Sequence, residues 1–455
     1  MCGIIGIFNN ERAVEMATLG LFAEQHRGQE SCGMAVNNGV TIKLRKKMGL
    51  VKDVFTSEKI KNLKGNIAIG HVRYPTCGTS SVYNSQPHIV ETLSGPSYAL
   101  VSNGDIINYG ELRQELESKG VYFASSNDGE LLLKFIVYNV EKEGLDIIDA
   151  IRKLMINVKG AFSTILSTKK EMYLFRDPYG IRPMNYGKTK EGTLVVASES
   201  CALDILYMDW QKEVEPAEII VVNKDGYNSI KNNPAEYRDS TTNKHCIFEY
   251  IYFSRPDSFI FGESVYKVRQ RIGALLAESD EIEPDIVVPV PDSANFIALG
   301  YAKQKNVPFE MGLIRNHYVG RTFIKPEQTI RDESVYQKFN ILPNFFDGKK
   351  VVLIDDSIVR GTTIRKIVKL IKNGGASEVH LRIGSPPVKF SCYYGIDTPT
   401  RKELIANNKS IEEIKEFTDS DSLKYLSIDN LRKAVSKPQD YCYACFDGNY
   451  PLRKK

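Results

Sequence analysis

A cysteine at position 2 is the first residue whose type and place suggest chemistry. Cys2 directly follows Met1, and we expect Met1 to be removed because the residue after it is small. Cys2 would then carry the α-amine of the chain, whose pKa of about 7.7–8.0 lets it accept the thiol proton directly or through one water. This start is consistent with an N-terminal nucleophile, although alone it does not outweigh a cysteine placed there by chance.

The strongest single motif lies at 351–363, where the sequence reads VVLIDDSIVRGTT. An apolar strand runs into two acidic residues, Asp355 and Asp356, and a Gly-Thr-Thr turn then leads into a helix. Two adjacent carboxylates at a strand end can hold ribose hydroxyls or a hard cation. The turn presents N–H groups and hydroxyls to a phosphate at the helix N-terminus. This is not a Walker loop, because the GK[ST] ending is absent.

Four further cysteines have spacings of interest. Cys442 and Cys445 form a C-x-x-C pair near the C-terminus, and Cys246 and Cys392 lie upstream. The C-x-x-C pair alone is compatible with zinc, with redox chemistry or with no function. Four thiolates suit either a [4Fe–4S] cluster or a zinc ion, so the ligand type alone leaves both open.

The elements that must position these residues differ between the two halves of the chain. A polar stretch at 223–244 reads as a linker or a surface hairpin and divides them. Before it, short β-branched runs and a few amphipathic segments predict a strand-rich α+β domain. The predicted strands are Gly65–His71, Tyr98–Ser102, Ala161–Ser167 and Thr193–Ala197, and the predicted helices are Glu11–Gln25, Tyr109–Lys119 and Gly129–Glu143.

After this stretch, strands alternate with helices, which predicts βαβ units and a parallel sheet. In such sheets, ligands bind beyond the carboxyl ends of the strands. The predicted strands are Pro284–Val290, Val307–Gly312, Lys349–Ile354 and Glu378–Ile383, and the predicted helices are Asn295–Gln304 and Thr362–Lys372. We therefore predict two domains, at 2–230 and 231–455.

Composition excludes several classes of protein. The 455 residues include 60 Lys+Arg and 56 Asp+Glu, a net charge of +4, and the short basic clusters form no stripe, which argues against a nucleic-acid partner. No stretch approaches the 18–20 apolar residues of a membrane span, and the N-terminus lacks the features of a signal peptide. We expect a cytoplasmic protein whose eight cysteines stay mostly reduced and serve metal binding or catalysis more than disulfides.

The first half resembles the class II (N-terminal nucleophile) glutamine amidotransferases over most of residues 2–220. The motifs that carry the resemblance are QHRGQES at 25–31, GHVRYPT at 70–76, NGD at 103–105, NDGE at 127–130 and RDPYGIRP at 176–183. The resemblance implies stacked antiparallel sheets with flanking helices.

The resemblance also implies roles for individual residues. Cys2 would attack the glutamine amide, and the Asn103 side chain and the Gly104 N–H would form the oxyanion hole. Arg73 would hold the substrate α-carboxylate, and Asp128 would pair with its α-ammonium.

Three other residues near this site leave alternatives open. Arg27 would be an outer residue of the glutamine pocket, with a structural ion pair as an equal alternative. For His26 and His71, packing is favoured over a role as general base, because the α-amine fills that role.

The motif at 351–363 resembles the phosphoribosyl diphosphate (PRPP) signature of the type I phosphoribosyltransferases. The resemblance implies that the loop binds PRPP through Asp355, Asp356, Ser357, Ile358, Val359, Arg360, Gly361, Thr362 and Thr363. In PVPDSAN at 289–295, Asp292 and Ser293 would face the diphosphate, and Ser293 would hold magnesium with the two acids. Arg321 and Lys338, in a long polar loop that would close over PRPP, would touch the diphosphate, with solvated charges as the alternative.

Together the halves resemble one enzyme family, the amidophosphoribosyltransferases, in its iron–sulfur-bearing branch. The resemblance implies that Cys2 releases ammonia from glutamine and that the ammonia displaces diphosphate from C1 of PRPP, giving 5-phosphoribosylamine, the first step of purine synthesis. It also implies Mg²⁺, a structural [4Fe–4S] cluster on Cys246, Cys392, Cys442 and Cys445, feedback inhibition by purine nucleotides and a homotetramer.

Two alternatives remain. Another class II glutamine amidotransferase would share the Cys2 half but lack the loop at 355–363. A non-catalytic PRPP-sensing regulator would share that loop but should carry a DNA-binding helix-turn-helix, and no such module is evident in the sequence.

Overall fold

The computed structural model describes residues 1–75, 79–93, 95–238, 242–318 and 337–452. In the first half, the strands are β1 Gly3–Phe8, β2 Ser31–Asn37, β3 Ile42–Met48, β4 Ile67–Arg73, β5 His88–Thr92, β6 Gly95–Ile106, β7 Gly160–Ser167, β8 Met172–Arg176, β9 Asn185–Lys188, β10 Leu194–Ala197, β11 Trp210–Glu213, β12 Glu218–Asn223 and β13 Gly226–Lys231. The helices are α1 Ala13–Ala23, α2 Val51–Val54, α3 Ser57–Ile60, α4 Tyr109–Ser118, α5 Asp128–Glu141, α6 Ile147–Asn157 and α7 Ser200–Asp204.

Two antiparallel sheets face each other in this half. One has the strand order β11-β9-β10-β1-β4-β2-β3 and the other β13-β12-β8-β7-β6-β5. Their inner faces share an apolar core that includes Ile4, Ile69, Val101 and Ile165. Helix α1 packs on the outside of the first sheet and α4–α6 on the outside of the second. The expected α+β fold of stacked antiparallel sheets with flanking helices is confirmed.

The polar stretch at 223–244 contains a surface hairpin, as one of its two interpretations predicts. Strands β12 and β13 pair antiparallel, with Asn223 opposite Gly226 across a tight turn. The two strand-rich sheets therefore end at Lys231, and the following residues lead to the second half. The predicted domain limits at 230/231 stay a prediction.

In the second half, the strands are β14 His245–Cys246, β15 Phe259–Ile260, β16 Glu263–Ser264, β17 Ile286–Pro289, β18 Leu313–Arg315, β19 Phe339–Ile341, β20 Lys350–Asp355, β21 Glu378–Ile383, β22 Ser422–Tyr425 and β23 Tyr441–Cys442. The helices are α8 Val265–Glu278, α9 Asn295–Lys305, α10 Thr362–Asn373, α11 Ile405–Asn408, α12 Ile411–Thr418, α13 Ile428–Lys433 and α14 Ala444–Asp447, and a π-helical turn covers Glu249–Phe253.

The predicted parallel sheet is confirmed. Strands β17, β20, β21 and β22 lie side by side in that order, and every neighbouring pair is parallel. Strand β20 is central and almost fully buried, so its carboxyl end at Asp355 opens at the edge where the loops converge.

The prediction of a strand over Val307–Gly312 is wrong. This segment meets the sheet at a single bridge, in which Val287 of β17 pairs with Phe309. The Val287 N–H donates to Pro308 O and the Glu310 N–H donates to Val287 O, both at 2.9 Å. Proline has no N–H to donate, so the ladder does not extend toward Val307. On the other side, the Gly312 carbonyl accepts from the Leu342 N–H at 3.1 Å.

One apolar cluster joins the two halves. Ala161, Tyr179 and Ile181 of the first half pack with residues of the second half such as Ile247 and Tyr394. The two halves therefore share a continuous core. Within the described ranges, each helix is too short or too polar to cross a lipid bilayer.

Candidate active sites

The nucleophile candidate lies at the start of β1, in the interior of the first half. Cys2 is 8% exposed. Its N–H donates to Asn103 Oδ1 at 3.1 Å, and its thiol donates to the carbonyl oxygen of Tyr74 at 3.6 Å. The other end of that amide, Asn103 Nδ2, is buried and meets no hydrogen-bond partner among the residues the structure describes. An unsatisfied buried donor is costly unless a ligand completes it, so this N–H group points to an acceptor on the substrate.

The backbone of Gly104 is arranged to supply a second donor. Gly104 lies opposite Phe162 of β7. Phe162 uses its own N–H and carbonyl on Asp177, on the far side of β7. In an antiparallel ladder this makes Gly104 and Phe162 a non-hydrogen-bonded pair, so the Gly104 N–H is directed to the other edge of β6. A side chain could not fit here, because a Cβ on Gly104 would lie 1.8 Å from Ala161 O.

Two charged residues predicted to grip the substrate lie near this nucleophile. Arg73 is buried at the end of β4, where its Nη1 donates to Glu30 Oε2 at 2.6 Å. Asp128 is the first residue of α5, and the Asn127 side chain accepts from the Gly129 N–H. Burial and the neighbouring charges of Asp105 and Cys2 raise the pKa of Asp128 well above its usual range. A cation beside this carboxylate, such as an α-ammonium group, would stabilise its charged form and lower its pKa.

Arg27 is engaged by the protein itself. Its Nε donates to the Cys2 carbonyl at 2.9 Å, and its Nη1 and Nη2 bind the Glu249 carboxylate at 3.1 and 2.9 Å. Nη1 also pairs with Glu199. All these groups are fully buried. Arg27 therefore forms a structural ion pair, which is one of its two predicted roles, and it ties the nucleophile strand to the second half. A place in the glutamine pocket stays a prediction.

The two histidines of the motifs have different surroundings. His26 Nε2 lies 2.7 Å from Glu199 Oε1, and its Nδ1 lies 3.2 Å from Ala23 O. His71 is fully buried in β4, and burial together with the nearby Arg73 lowers its pKa to about 3. A neutral buried histidine packs in the core, as the favoured interpretation predicts.

The second candidate site opens at the carboxyl end of β20. Burial, and then the charge of Asp356, raise the pKa of Asp355 well above its usual range. Burial also raises the pKa of Asp356, while hydrogen bonds from Ser293 and Ser357 oppose the shift. The Ser357 hydroxyl donates to Asp356 Oδ2 at 2.6 Å. The predicted partners Ser293, Asp355 and Asp356 are therefore brought together, and they form an acidic pocket suited to a cation or to ribose hydroxyls.

The turn after these acids leads into α10 as predicted. Gly361 is the residue before the helix and has φ +78°, a left-handed conformation that favours glycine. Thr362 and Thr363 are exposed in the first turn of the twelve-residue helix. Ile358 is buried beneath the turn, Val359 accepts a hydrogen bond from the Ile405 N–H through its carbonyl at 3.0 Å, and Arg360 pairs with Glu403 at 2.9 Å.

The diphosphate loop candidate follows β17. Asp292 is exposed and pairs with Arg315 Nη1 at 2.6 Å. Lys338 lies close enough to Asp355 for its charge to lower the pKa of that carboxyl. Arg321, predicted to contact the diphosphate, lies outside the described residues.

The four clustered cysteines line one cavity between the halves. Cys246 and Cys442 are direct register partners in the parallel pair β14–β23. Cys392 and Cys445 complete the lining, together with Arg182. No disulfide joins any cysteine in the described ranges. Nor does any group of three or more His, Cys, Asp or Glu side chains there have the spacing to hold a metal ion.

Several partners of the predicted residues were not identified from the sequence. Glu30, Glu199, Glu249 and Arg315 pair with residues far away in the chain. Glu30 stands inside the QHRGQES motif, but nothing local shows which cation it faces. Arg182 likewise lies in the RDPYGIRP motif, and its place beside the cysteines depends on the packing of the two halves.

Comparison with known proteins agrees with this two-site arrangement. The family model of the glutamine amidotransferase domain matches residues 77–204, and that of the phosphoribosyl transferase domain matches residues 263–383. The chain is 45% identical to the amidophosphoribosyltransferase of Methanocaldococcus jannaschii, over 99% of this chain and 98% of the relative. It is 46% identical to the chloroplastic amidophosphoribosyltransferase 1 of Arabidopsis thaliana, over 99% of this chain and 79% of the relative.

A solved structure shows the same architecture. The glutamine PRPP amidotransferase of B. subtilis, solved with ADP and GMP, superposes with a TM-score of 0.91 at 39% identity, covering 100% of this chain and 98% of that one. The chain belongs to the amidophosphoribosyltransferase family and is a glutamine-dependent pentosyltransferase that transfers nitrogen from glutamine to PRPP in purine biosynthesis.

Proposed function

We propose that Cys2 is the glutaminase nucleophile and that Asn103 and Gly104 form its oxyanion hole. The observation that carries this proposal is the hydrogen bonding of the Asn103 side-chain amide. Its Oδ1 accepts from the Cys2 N–H, and its buried Nδ2 has no partner among the described residues. Asn103 thus fixes the nucleophile and still has a donor for the substrate. The Gly104 N–H, directed to the edge of β6 away from β7, is proposed as the second donor.

The start of the chain is suited to activate this thiol once Met1 is removed. Removal of Met1 would leave the α-amine on Cys2 itself, beside the thiol. The ordinary pKa of such an amine, about 7.7–8.0, leaves part of it unprotonated near neutral pH, and that form can take the thiol proton. The thiolate then forms a C–S bond to the amide carbon, ammonia leaves with that proton, and water cleaves the resulting thioester to glutamate.

Glutamine recognition rests on charge. Arg73 and Asp128 flank the nucleophile and would bind the α-carboxylate and α-ammonium. Both are buried, and the pKa of Asp128 is raised, so an amide without an α-ammonium would leave the Asp128 carboxylate uncompensated and would bind poorly. Arg27 acts on glutamine indirectly, because it holds the Cys2 carbonyl.

We assign PRPP to the loop at the end of β20. Asp355 and Asp356 would face the ribose hydroxyls, and the turn from Ser357 to Thr363 would enclose the 5-phosphate at the start of α10. Asp292, Ser293, Arg321 and Lys338 would surround the diphosphate.

Magnesium fits the acidic pocket. Two buried carboxylates with raised pKa values favour a divalent cation, and Ser293 adds an oxygen. Mg²⁺ prefers few carboxylates together with substrate phosphates, and two acids with one hydroxyl fit that preference. When bound, magnesium would stabilise the departing diphosphate.

The nitrogen passes from one site to the other inside the protein. Ammonia adds to C1 of PRPP with inversion while diphosphate leaves, and positioning dominates because little acid–base help is required. Shielding is necessary since free ammonia is protonated at neutral pH and cannot attack. The continuous apolar core that joins the halves supports such a dry route.

We propose that the four cysteines hold a [4Fe–4S] cluster with a structural role. The four thiols line one cavity, and Arg182 supplies a buried positive charge beside them. A single zinc ion also suits four thiolates, and the family resemblance is what favours the cluster. Pairing of β14 with β23 means that a cluster would tie the C-terminal segment to the start of the second half.

Regulation by purine nucleotides is proposed from the relatives. The B. subtilis enzyme was solved with ADP and GMP, and a second similar structure, 40% identical, is named the allosteric regulatory enzyme of purine biosynthesis. A homotetramer is proposed from the family resemblance, and a cytoplasmic location stays a prediction. Mass measurement by light scattering and inhibition curves with AMP, GMP and ADP test the first two points.

The residue assignments are tested by two variants assayed with two nitrogen donors. Cys2→Ala should lose glutamine-dependent turnover by about 10⁴-fold and keep ammonia-dependent turnover. Asp355→Asn should lose PRPP turnover with both donors, because it removes the ribose and magnesium contact. Retention of glutamine-dependent activity in Cys2→Ala would refute the nucleophile assignment, and full ammonia-dependent activity in Asp355→Asn would refute the PRPP assignment.

A further inference from the structure

We propose that a loop of the phosphoribosyltransferase half, Tyr394–Gly395, is a positioning element of the glutaminase oxyanion hole, held in place by Arg182. This inference deepens the proposed function and rests on the assignment of Asn103 and Gly104 to that hole. It means that the first half alone does not complete its own site.

The loop touches the oxyanion glycine directly. A Cβ built on Gly395 would lie 3.0 Å from the carbonyl carbon and oxygen of Gly104 and 3.2 Å from its Cα. Gly395 also has φ +99°, in the left-handed region. Any side chain here would therefore be strained and would push on the Gly104 backbone. On its other side Gly104 meets Ala161 O, so its peptide is confined between β7 and this loop.

Arg182 fixes the loop from the first half. Its side chain is fully buried, and its Nε donates to the Tyr394 carbonyl at 2.7 Å while Nη2 donates to the same oxygen. The tyrosine is held at its other end, since its hydroxyl donates to Leu452 O at 2.7 Å and accepts from Leu452 N at 3.0 Å.

The contacts close into a ring around the hole. Arg182 O accepts from the Ser163 hydroxyl at 3.0 Å. Ser163 is the register partner of Asn103, and Phe162 is that of Gly104. Asn103 pairs in register with Ser163, whose hydroxyl binds the Arg182 carbonyl. The Arg182 side chain binds the Tyr394 carbonyl, and the next residue, Gly395, contacts Gly104. The arginine side chain thus holds the loop against Gly104, and the arginine main chain binds the residue opposite Asn103.

This arrangement matters for rate because an oxyanion hole works through donors fixed before the reaction. A displaced donor stabilises the tetrahedral state less while substrate binding stays the same. The ammonia-dependent reaction uses no such hole. Disturbance of the loop should therefore lower the turnover number with glutamine and spare both the glutamine KM and the ammonia reaction.

The primary test is Gly395→Ala in the full-length protein. We expect the glutamine-dependent kcat to fall by about 10–100-fold, with KM for glutamine within twofold and unchanged ammonia-dependent kcat. Gly348→Ala is the matched control, because Gly348 lies in the same half with φ +69° and a Cβ there would meet no atom within 4 Å in the described chain. It should behave as wild type.

Two reagents separate an effect on the hole from an effect on the nucleophile. The Cys2 thiolate adds to the carbonyl carbon of the γ-aldehyde analogue of glutamine. The alkoxide that results occupies the oxyanion hole. Iodoacetamide alkylates the same thiol by displacing iodide and needs no hole. In Gly395→Ala, the inhibition constant of the aldehyde should rise by about the factor by which kcat falls, and the alkylation rate should stay unchanged.

Arg182→Lys provides a second route if Gly395→Ala does not fold, because lysine keeps the charge but cannot place two donors on Tyr394 O. It should show the same pattern. Wild-type kcat in both variants, equal losses with both nitrogen donors, or slowed alkylation would overturn the inference. If Cys2→Ala keeps glutamine-dependent turnover, or the aldehyde fails to inhibit wild type, the proposed function fails instead.

Discussion

The ion pairs around the two active sites differ in how deeply they are buried. Near the nucleophile, ion pairs are buried and internal: Arg27 with Glu249 has no exposed side-chain surface, and Arg73 with Glu30 is almost as buried. Around the PRPP loop the pairs are open, and the side chains of Arg360 and Glu403 are 45% and 46% exposed. The charges of Lys338 and Arg269 lower the pKa values of Asp355 and Asp356, respectively, but burial outweighs them and both pKa values are raised.

This difference indicates two ways to build a site. The glutaminase site is organised in advance by protein partners, so its geometry is present without substrate. The PRPP site leaves its charges for the ligand and metal to neutralise, which couples binding energy to assembly of the site. The glutamine reaction should therefore be sensitive to core mutations, and the PRPP reaction to ionic conditions.

The largest expected effect comes from breaking the buried pair. Arg27→Met removes the cation from two buried carboxylates, Glu199 and Glu249, and should lower the free energy of unfolding by about 3–5 kcal/mol. Urea titration followed by circular dichroism measures the change. A loss below about 1 kcal/mol would show that this network is not the support that the buried geometry implies.

Removal of one oxyanion donor should cost slightly less. Asn103→Ala removes the free Nδ2 and the acceptor for Cys2 N, so the glutamine-dependent kcat should fall by about 10²–10³-fold, or about 2.7–4 kcal/mol. Ammonia-dependent turnover, measured in the same preparation, should be unchanged. Equal loss with both donors would place Asn103 in folding instead of catalysis.

Acid should destabilise the glutaminase half through its buried histidine. His71 has a folded pKa of about 3 because burial disfavours its charged form, whereas unfolded histidine titrates near 6.5. Below pH 6.5 the unfolded chain binds a proton that the folded chain does not, so stability falls by about 1.4 kcal/mol per pH unit.

The test compares pH-dependent unfolding of wild type, His71→Gln and the exposed control His317→Gln, whose side chain is 71% exposed. His71→Gln should flatten the slope between pH 6.5 and 5, and His317→Gln should leave it unchanged. Equal slopes in all three proteins would contradict a neutral buried His71.

The smallest effect belongs to the open pair. Glu403→Gln at the Arg360 pair should change the free energy of unfolding by less than about 1 kcal/mol, since exposed ion pairs contribute little. The same urea titration measures it. A loss comparable with that of Arg27→Met would remove the contrast between the two sites.

The local patterns predicted much of the fold. The apolar run that ends at Asp355 predicts a buried strand, and Gly361 predicts a turn before the helix. The structure agrees with both predictions. The predicted strand at Val307–Gly312 failed because β-branched and apolar residues there fit a strand, while the sheet accepts just one bridge beside Pro308. Strand β6 is longer than the predicted Tyr98–Ser102, since its pairing with β7 carries it through Asn103 and Gly104 to Ile106.

Residues of the candidate site that stand in local motifs could be predicted from the sequence. Their partners in distant parts of the chain could not. Cys2, Asn103 and Asp128 stand in recognisable motifs. The partner of Arg27 lies 222 positions away at Glu249, and no local pattern identifies it. The contact of Gly395 with Gly104 likewise arises from packing of the two halves.

We propose above that nitrogen freed at Cys2 reaches PRPP inside the protein. The most direct measurement supplies amide-¹⁵N glutamine together with excess unlabelled ammonium and determines the isotope in the trapped phosphoribosylamine by mass spectrometry. Internal transfer predicts product that is almost entirely ¹⁵N at low turnover. Product diluted to the isotope ratio of the bulk ammonium would contradict the account.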